Sequence, residues 1–110
     1  MSLYADFIKE YDGFDIIEIP DVGFATYKCA GEECYIKDVY IKPEHRSKRV
    51  SYDMQVEITK IAKEKGCTYL LGTVSPISKT ATFSMGALIK DGFQFVKVDQ
   101  HLMYFTKRVL

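Results

Sequence analysis

The sequence predicts an α/β (α+β) domain in which a mixed central β-sheet, antiparallel in its N-terminal strands, is entered by a βαβ crossover and flanked by helices. Three observations predict it. Short β-branched and aromatic runs bounded by Gly, Pro and Asp fill the first third of the chain. A long amphipathic stripe then separates two apolar runs, Cys34 to Ile41 and Cys67 to Val74, which is the strand, helix, strand order of a crossover between parallel strands. A second helical stretch is followed by two further strand-like runs.

The elements follow in order. Ser2 is placed to cap a short helix, Leu3 to Tyr11, whose Leu3, Tyr4, Phe7, Ile8 and Tyr11 recur at helical spacing before Asp12-Gly13 stops it. Asp15 to Ile19 reads as a strand ended by Pro20, and Phe24 to Cys29 as a second. Ala30 to Glu33 reads as a hairpin loop, and Cys34 to Ile41 returns antiparallel. From Ser47 to Lys65 the residues Val50, Met54, Ile58, Ile61 and Ala62 form one apolar stripe, closed by Gly66. Cys67 to Val74 is short, apolar and bounded by Gly66 and Ser75-Pro76, as a buried parallel strand is. Thr80 to Lys90 repeats the helical pattern, Asp91-Gly92 stops it, and Phe93 to Val98 and Leu102 to Thr106 read as the last strands.

With 110 residues, 47% hydrophobic and 27% charged, the chain is expected to fold as one domain over 1–110 around a single core. Fifteen basic residues balance fifteen acidic ones, so no global field draws it to nucleic acid or to an anionic membrane, and any anion site must be local. Three cysteines, odd in number and without a CxxC pair, suit a reducing compartment, and cytoplasm is the expected location. The first residues carry acids and no apolar run of signal-peptide or membrane length. His45 and His101 are far apart, and Cys29 and Cys34 flank a loop without further ligands, so no metal is expected. Ser75, Ser78 and Ser84 lack the setting of a hydrolase nucleophile.

Chemistry concentrates in DVYIKPEHRSKRVSYDM, where a strand feeds a helix. The first N–H groups of a helix have no intrahelical partner and the helix dipole adds partial positive charge, so such a junction binds anions through backbone alone. Arg46, Lys48 and Arg49 add formal charge there. A solvated basic turn is the plain alternative, but cations at a helix start oppose the dipole unless an anion offsets them.

This run, with the helix and buried strand after it and then ALIKDGFQFV, resembles the acyl-CoA-binding core of the Gcn5-related N-acetyltransferases, the GNAT superfamily, over roughly Asp15 to Thr106. Each motif alone is weak, and the spacing carries most of the resemblance. It implies that Arg46, Ser47, Lys48, Arg49, Val50 and Ser51 stand where the family's backbone amides cradle the pyrophosphate of coenzyme A, and that Lys90-Asp91-Gly92-Phe93 matches a later K-x-G-F pattern. It further implies acetyl-CoA as cosubstrate, lying in a splay between parallel strands near Ile41 and Thr73, with its pantetheine amides paired to the backbone of Val39, Tyr40 and Ile41. The acceptor is an amine, small or carried on a protein.

The sequence departs from the family pattern at several points. Arg49 replaces the first glycine of the cradle and Ser51 a glycine or alanine, and the resemblance makes Arg49 a compensating phosphate ligand. Leu88 stands where a tyrosine acid is common, and Ala81 where an asparagine is. The strand that carries the family's base offers Glu33, Tyr35, Lys37 and Asp38, with Asp38 on the opposite face by strict alternation unless a bulge intervenes. Asp38 and Glu33 are both candidates for the base, each with a surface strand charge as the alternative. Tyr104 is a candidate replacement acid, with aromatic packing as its other role. Two classes of function follow: an acetyl-CoA-dependent N-acetyltransferase, or a catalytically silent GNAT-fold binding or assembly module. A single N-terminal helix in the acceptor region suits a large, exposed amine, or a homo-oligomer in which a second copy completes the site.

Overall fold

The computed structural model describes residues 2–109. The order is α1 (Leu3–Asp12), β1 (Asp15–Ile19), β2 (Gly23–Ala30), β3 (Glu33–Ile41), a 3-10 turn at Pro43–His45, α2 (Val50–Glu64), β4 (Tyr69–Val74), α3 (Ala81–Lys90), β5 (Gln94–Asp99) and β6 (Leu102–Arg108). The strands form one mixed sheet in the order β1-β2-β3-β4-β6-β5, parallel only between β3 and β4 and antiparallel elsewhere. No helix among the described residues is long and apolar enough to cross a membrane.

Local chemistry accounts for the boundaries. Ser2 Oγ accepts from the Ala5 N–H at 3.0 Å, and α1 ends at Gly13, whose φ of 73° lets its N–H reach the Lys9 carbonyl. The β2–β3 hairpin turns on Gly31 at φ 58°, glycine's place in a two-residue type II′ turn. Strand β4 begins at Tyr69, two residues later than the apolar run suggests, because Cys67 N–H still bonds to Ala62 O at the end of α2.

Packing divides the sheet into two faces. Met54, Ile58 and Ala62 of α2 are buried with Ala25, Tyr27, Cys34, Leu70, Val74 and Phe105 in one cluster, and Met85 and Leu88 of α3 pack against its edge. On the opposite face α1 lies over β1 to β3. Tyr4 meets Phe24 edge-on at 5.9 Å, and Phe14 meets Tyr35 at 6.0 Å.

Two tests arise from this packing. Gly23 faces the last residue of β3, and an added Cβ would collide with the Tyr40 carbonyl oxygen and meet Ile41 Cδ1 at 2.9 Å. Gly23→Ala is therefore expected to destabilise by about 1–3 kcal/mol, measured by urea titration. Burial first, then the Asp15 carboxylate, push the Tyr27 phenol up from 10.0 to about 12. The folded state holds this proton to higher pH than the unfolded chain does. Its contribution is complete below the unfolded pKa and is lost as pH rises through 10.0 toward about 12. Tyr27→Phe is expected to flatten that alkaline fall in a melting-temperature series.

Candidate active site

The site begins where β3 and β4 part. Their parallel pairing runs over four rungs, Glu33 with Tyr69, Cys34 with Leu70, Tyr35 with Leu71 and Ile36 with Gly72, and then stops. Beyond Ile36 the β4-facing edge of β3 is not paired to β4, and Val39 and Tyr40 are 50% and 45% exposed. The splay expected between Ile41 and Thr73 is thus present. Arg46 Nε donates to the Ile41 carbonyl at 2.9 Å and its guanidinium lies 5.8 Å from the Tyr40 ring centre. Arg46 therefore braces the end of β3, and the open backbone edge narrows to residues 37–40.

Helix α2 starts at Val50, three residues later than its apolar pattern predicts, because Ser47 and Arg49 adopt left-handed φ of 65° and 61°. Helix starts whose N–H groups are left unpaired, with the positive end of the dipole behind them, hold anions. Among the described residues the N–H groups of Ser47 to Tyr52 have no protein acceptor, and Asp53 is the first of the turn to find one, the Arg49 carbonyl at 3.0 Å. The backbone donors expected for an anion are free.

Arg49 pays the steric penalty that its glycine counterpart avoids, about 1–2 kcal/mol for a left-handed non-glycine residue. Its guanidinium stacks 4.3 Å from the Tyr52 ring centre and lies 4.0 Å from Asp91 at the end of α3. A cation–π contact of about 0.5–1 kcal/mol and a half-exposed ion pair of under about 1 kcal/mol roughly offset the strain, so arginine is tolerated here. The side chain ties α2 to the end of α3, a contact that the expected phosphate-ligand role did not include.

Strict alternation would separate Asp38 from Glu33 and Tyr35, and the bulge that the sequence left open removes that separation. Register along β2 jumps from Thr26 opposite Asp38 to Tyr27 opposite Ile36, so Lys37 is the extra residue of a bulge. Glu33, Tyr35, Asp38 and Tyr40 consequently share the face that α1 partly covers. Asp38 Oδ2 accepts from Thr26 Oγ1 at 3.2 Å, and the Thr26 hydroxyl in turn accepts the Asp38 N–H at 3.1 Å. Asp38 lines a cleft of about 30 Å³ with Tyr4, Ile8, Asp12, Phe14 and Lys37. Glu33 sits on the first rung of the closed end and accepts from Tyr69 Oη at 3.2 Å.

Thr73 and Tyr104 are opposite one another on β4 and β6, on the same face. Lys97 lies 5.2 Å from the Tyr104 ring centre. The contact that sequence reasoning missed is between Tyr35 Oη and Thr73 Oγ1, 3.0 Å apart across the start of the splay. Leu88, in the expected acid position, instead packs its methyls over Gly72, where an added Cβ would lie 3.1 Å from Cδ2.

No protein-family model matches the chain. Over 58 residues, 53% of this chain and 33% of the relative, it is 31% identical to a thialysine N-epsilon-acetyltransferase of Bos taurus, so the match spans about a third of that protein's length. The PaiA N-acetyltransferase of Thermoplasma acidophilum, solved in complex with coenzyme A, superposes with a TM-score of 0.75 at 21% identity, covering 94% of this chain and 67% of that one. An acetyltransferase of Bacillus subtilis in complex with CoA superposes with a TM-score of 0.71 at 12% identity, covering 96% and 84%. The chain has the GNAT acetyltransferase fold.

Proposed function

We propose that the protein is an acetyl-CoA-dependent N-acetyltransferase acting on a primary amine. One observation carries the proposal: the strand that parts from its parallel neighbour leads, through one short turn, to a helix start whose backbone donors are free and whose flanking side chains are cationic. A long, flexible, polyanionic ligand fits both halves. In this reading the N–H groups of Ser47, Lys48, Val50 and Ser51 hold the pyrophosphate, with Arg46, Lys48 and Arg49 adding field. The open edge of Val39 and Tyr40 orients the pantetheine arm. When bound, the thioester supplies an acyl carbon activated for attack. Asp38, on the cleft side of β3, takes the amine proton.

The cleft suggests the kind of amine. At about 30 Å³ it is far below the roughly 300–1,000 Å³ that encloses a whole small ligand. An amine at the end of an extended chain, such as a protein lysine or an N-terminus, needs only its tip enclosed. The neighbouring solved structures include N-acetyltransferases, which supports amine chemistry.

Acetyl-CoA added to the purified protein is expected to raise its melting temperature, because a ligand bound only by the native state at 100 times its Kd stabilises by about 2.7 kcal/mol. Acetyl-CoA consumption against peptides, polyamines and small amines then separates the enzyme from the silent module that Leu88 and Arg49 would favour. Thermal stabilisation without turnover on any amine supports the module, and no stabilisation removes coenzyme A from the account.

A further inference from the structure

Two hydroxyls meet at the point where β3 and β4 separate. Tyr35 is on the rung before the last shared one, Ile36 with Gly72, and Thr73 is the residue after it. Their oxygens are 3.0 Å apart and either can donate. Two hydroxyls carry two protons, and the bond between them uses one. Whichever donates, the other keeps an O–H to offer elsewhere. No other protein partner for either hydroxyl occurs among the described residues. Phe14 packs edge-on to the Tyr35 ring at 6.0 Å and 68°, which holds the ring and with it the place of its oxygen. Both side chains are half-buried, so the free donor acts in a medium less screening than bulk water.

Resting on the proposed function, we infer that Tyr35, steadied by Thr73, is the proton donor to the departing sulfur. Leu88 carries no proton to give, and it lies over Gly72 on the α2 side of the sheet. Tyr104 stands one strand farther from the split, on β6, with Lys97 over its ring. Tyr35 belongs to β3 itself. As the amine nitrogen bonds to the acyl carbon, the C–S bond breaks with its electron pair on sulfur, and Tyr35 gives its hydroxyl proton to that sulfur. The amine's displaced proton, taken by Asp38, returns through solvent to the phenolate. The products are an amide and a free thiol, with Tyr35 and Asp38 restored.

Calorimetry with coenzyme A and desulfo-coenzyme A near pH ~9, where a thiol is partly ionised, tests this apart from turnover. The wild type is expected to bind coenzyme A roughly 10-fold more tightly than the desulfo analogue, the effect of one hydrogen bond to a charged group. Tyr35→Phe keeps the ring against Phe14. It is expected to erase that preference while leaving desulfo-coenzyme A affinity unchanged, and to lower kcat roughly 10²-fold. Thr73→Val is expected to weaken the preference in part. A preference that survives Tyr35→Phe overturns the inference. Wild-type protein that binds both ligands without preference also overturns it and leaves the functional reading standing, whereas binding of neither overturns the functional reading itself.

Discussion

Ser51→Asp is expected to stabilise the free protein and to abolish coenzyme A binding. Ser51 is exposed in the first turn of α2, where the left-handed Arg49 supplies no side-chain cap. A carboxylate there faces the positive end of the helix dipole and the charges of Arg46, Lys48 and Arg49. That is worth about 0.3–1 kcal/mol, a rise of a few degrees in melting temperature for a domain of this size. The same carboxylate occupies the field that a pyrophosphate needs and repels it, so affinity is expected to fall at least about 10²-fold. Ser51→Asn, of nearly equal size and uncharged, is expected to keep most of the affinity. The opposed signs make the test specific, since a variant that merely damages the fold loses stability and binding together. If Ser51→Asp binds coenzyme A as the wild type does, the anion site lies elsewhere.

The elements whose signals are local were legible in the sequence. Gly31 marked a hairpin turn, Gly13 and Gly66 marked helix ends with left-handed φ of 73° and 83°, and Met54, Ile58 and Ala62 marked the buried stripe of α2. The start of α2 was not legible, because left-handed residues are normally betrayed by glycine or asparagine and here they are Ser47 and Arg49. The apolar stripe gives no warning, since Val50 suits the first helical residue or the second turn equally. A bulge in this strand was left open by the sequence, but its place at Lys37 was not given. Nothing in Tyr35-Ile36-Lys37-Asp38 identifies the extra residue, which is decided by the register of β2 against β3. That one shift brings Asp38 to the face of Tyr35. The Tyr35–Thr73 contact joins residues 38 positions apart and exists only once the parallel pairing is formed.

Replacing Asp38 by asparagine is expected to lower kcat by about 10²–10³-fold and to leave coenzyme A affinity within about 2-fold, whereas Glu33→Gln is expected to change kcat by less than about 3-fold. Both carboxylates are on the same face of β3, and their places along it separate them. Glu33 is on the first of four rungs shared with β4, which puts it about 10 Å along the strand from the point of separation. Its carboxylate already accepts from Tyr69. Asp38 lies beyond the last rung, in the cleft under α1. Thr26 holds one of its oxygens, so the other is left for an incoming amine. Thr26→Val removes that support without touching the carboxylate, and its loss of kcat is expected to be smaller than that of Asp38→Asn. The acetyl-CoA consumption assay, run with saturating amine, reads all three variants. If Glu33→Gln causes the large loss and Asp38→Asn the small one, the proton leaves through the closed end of the strand pair, and the splay would then position the thioester without supplying the base.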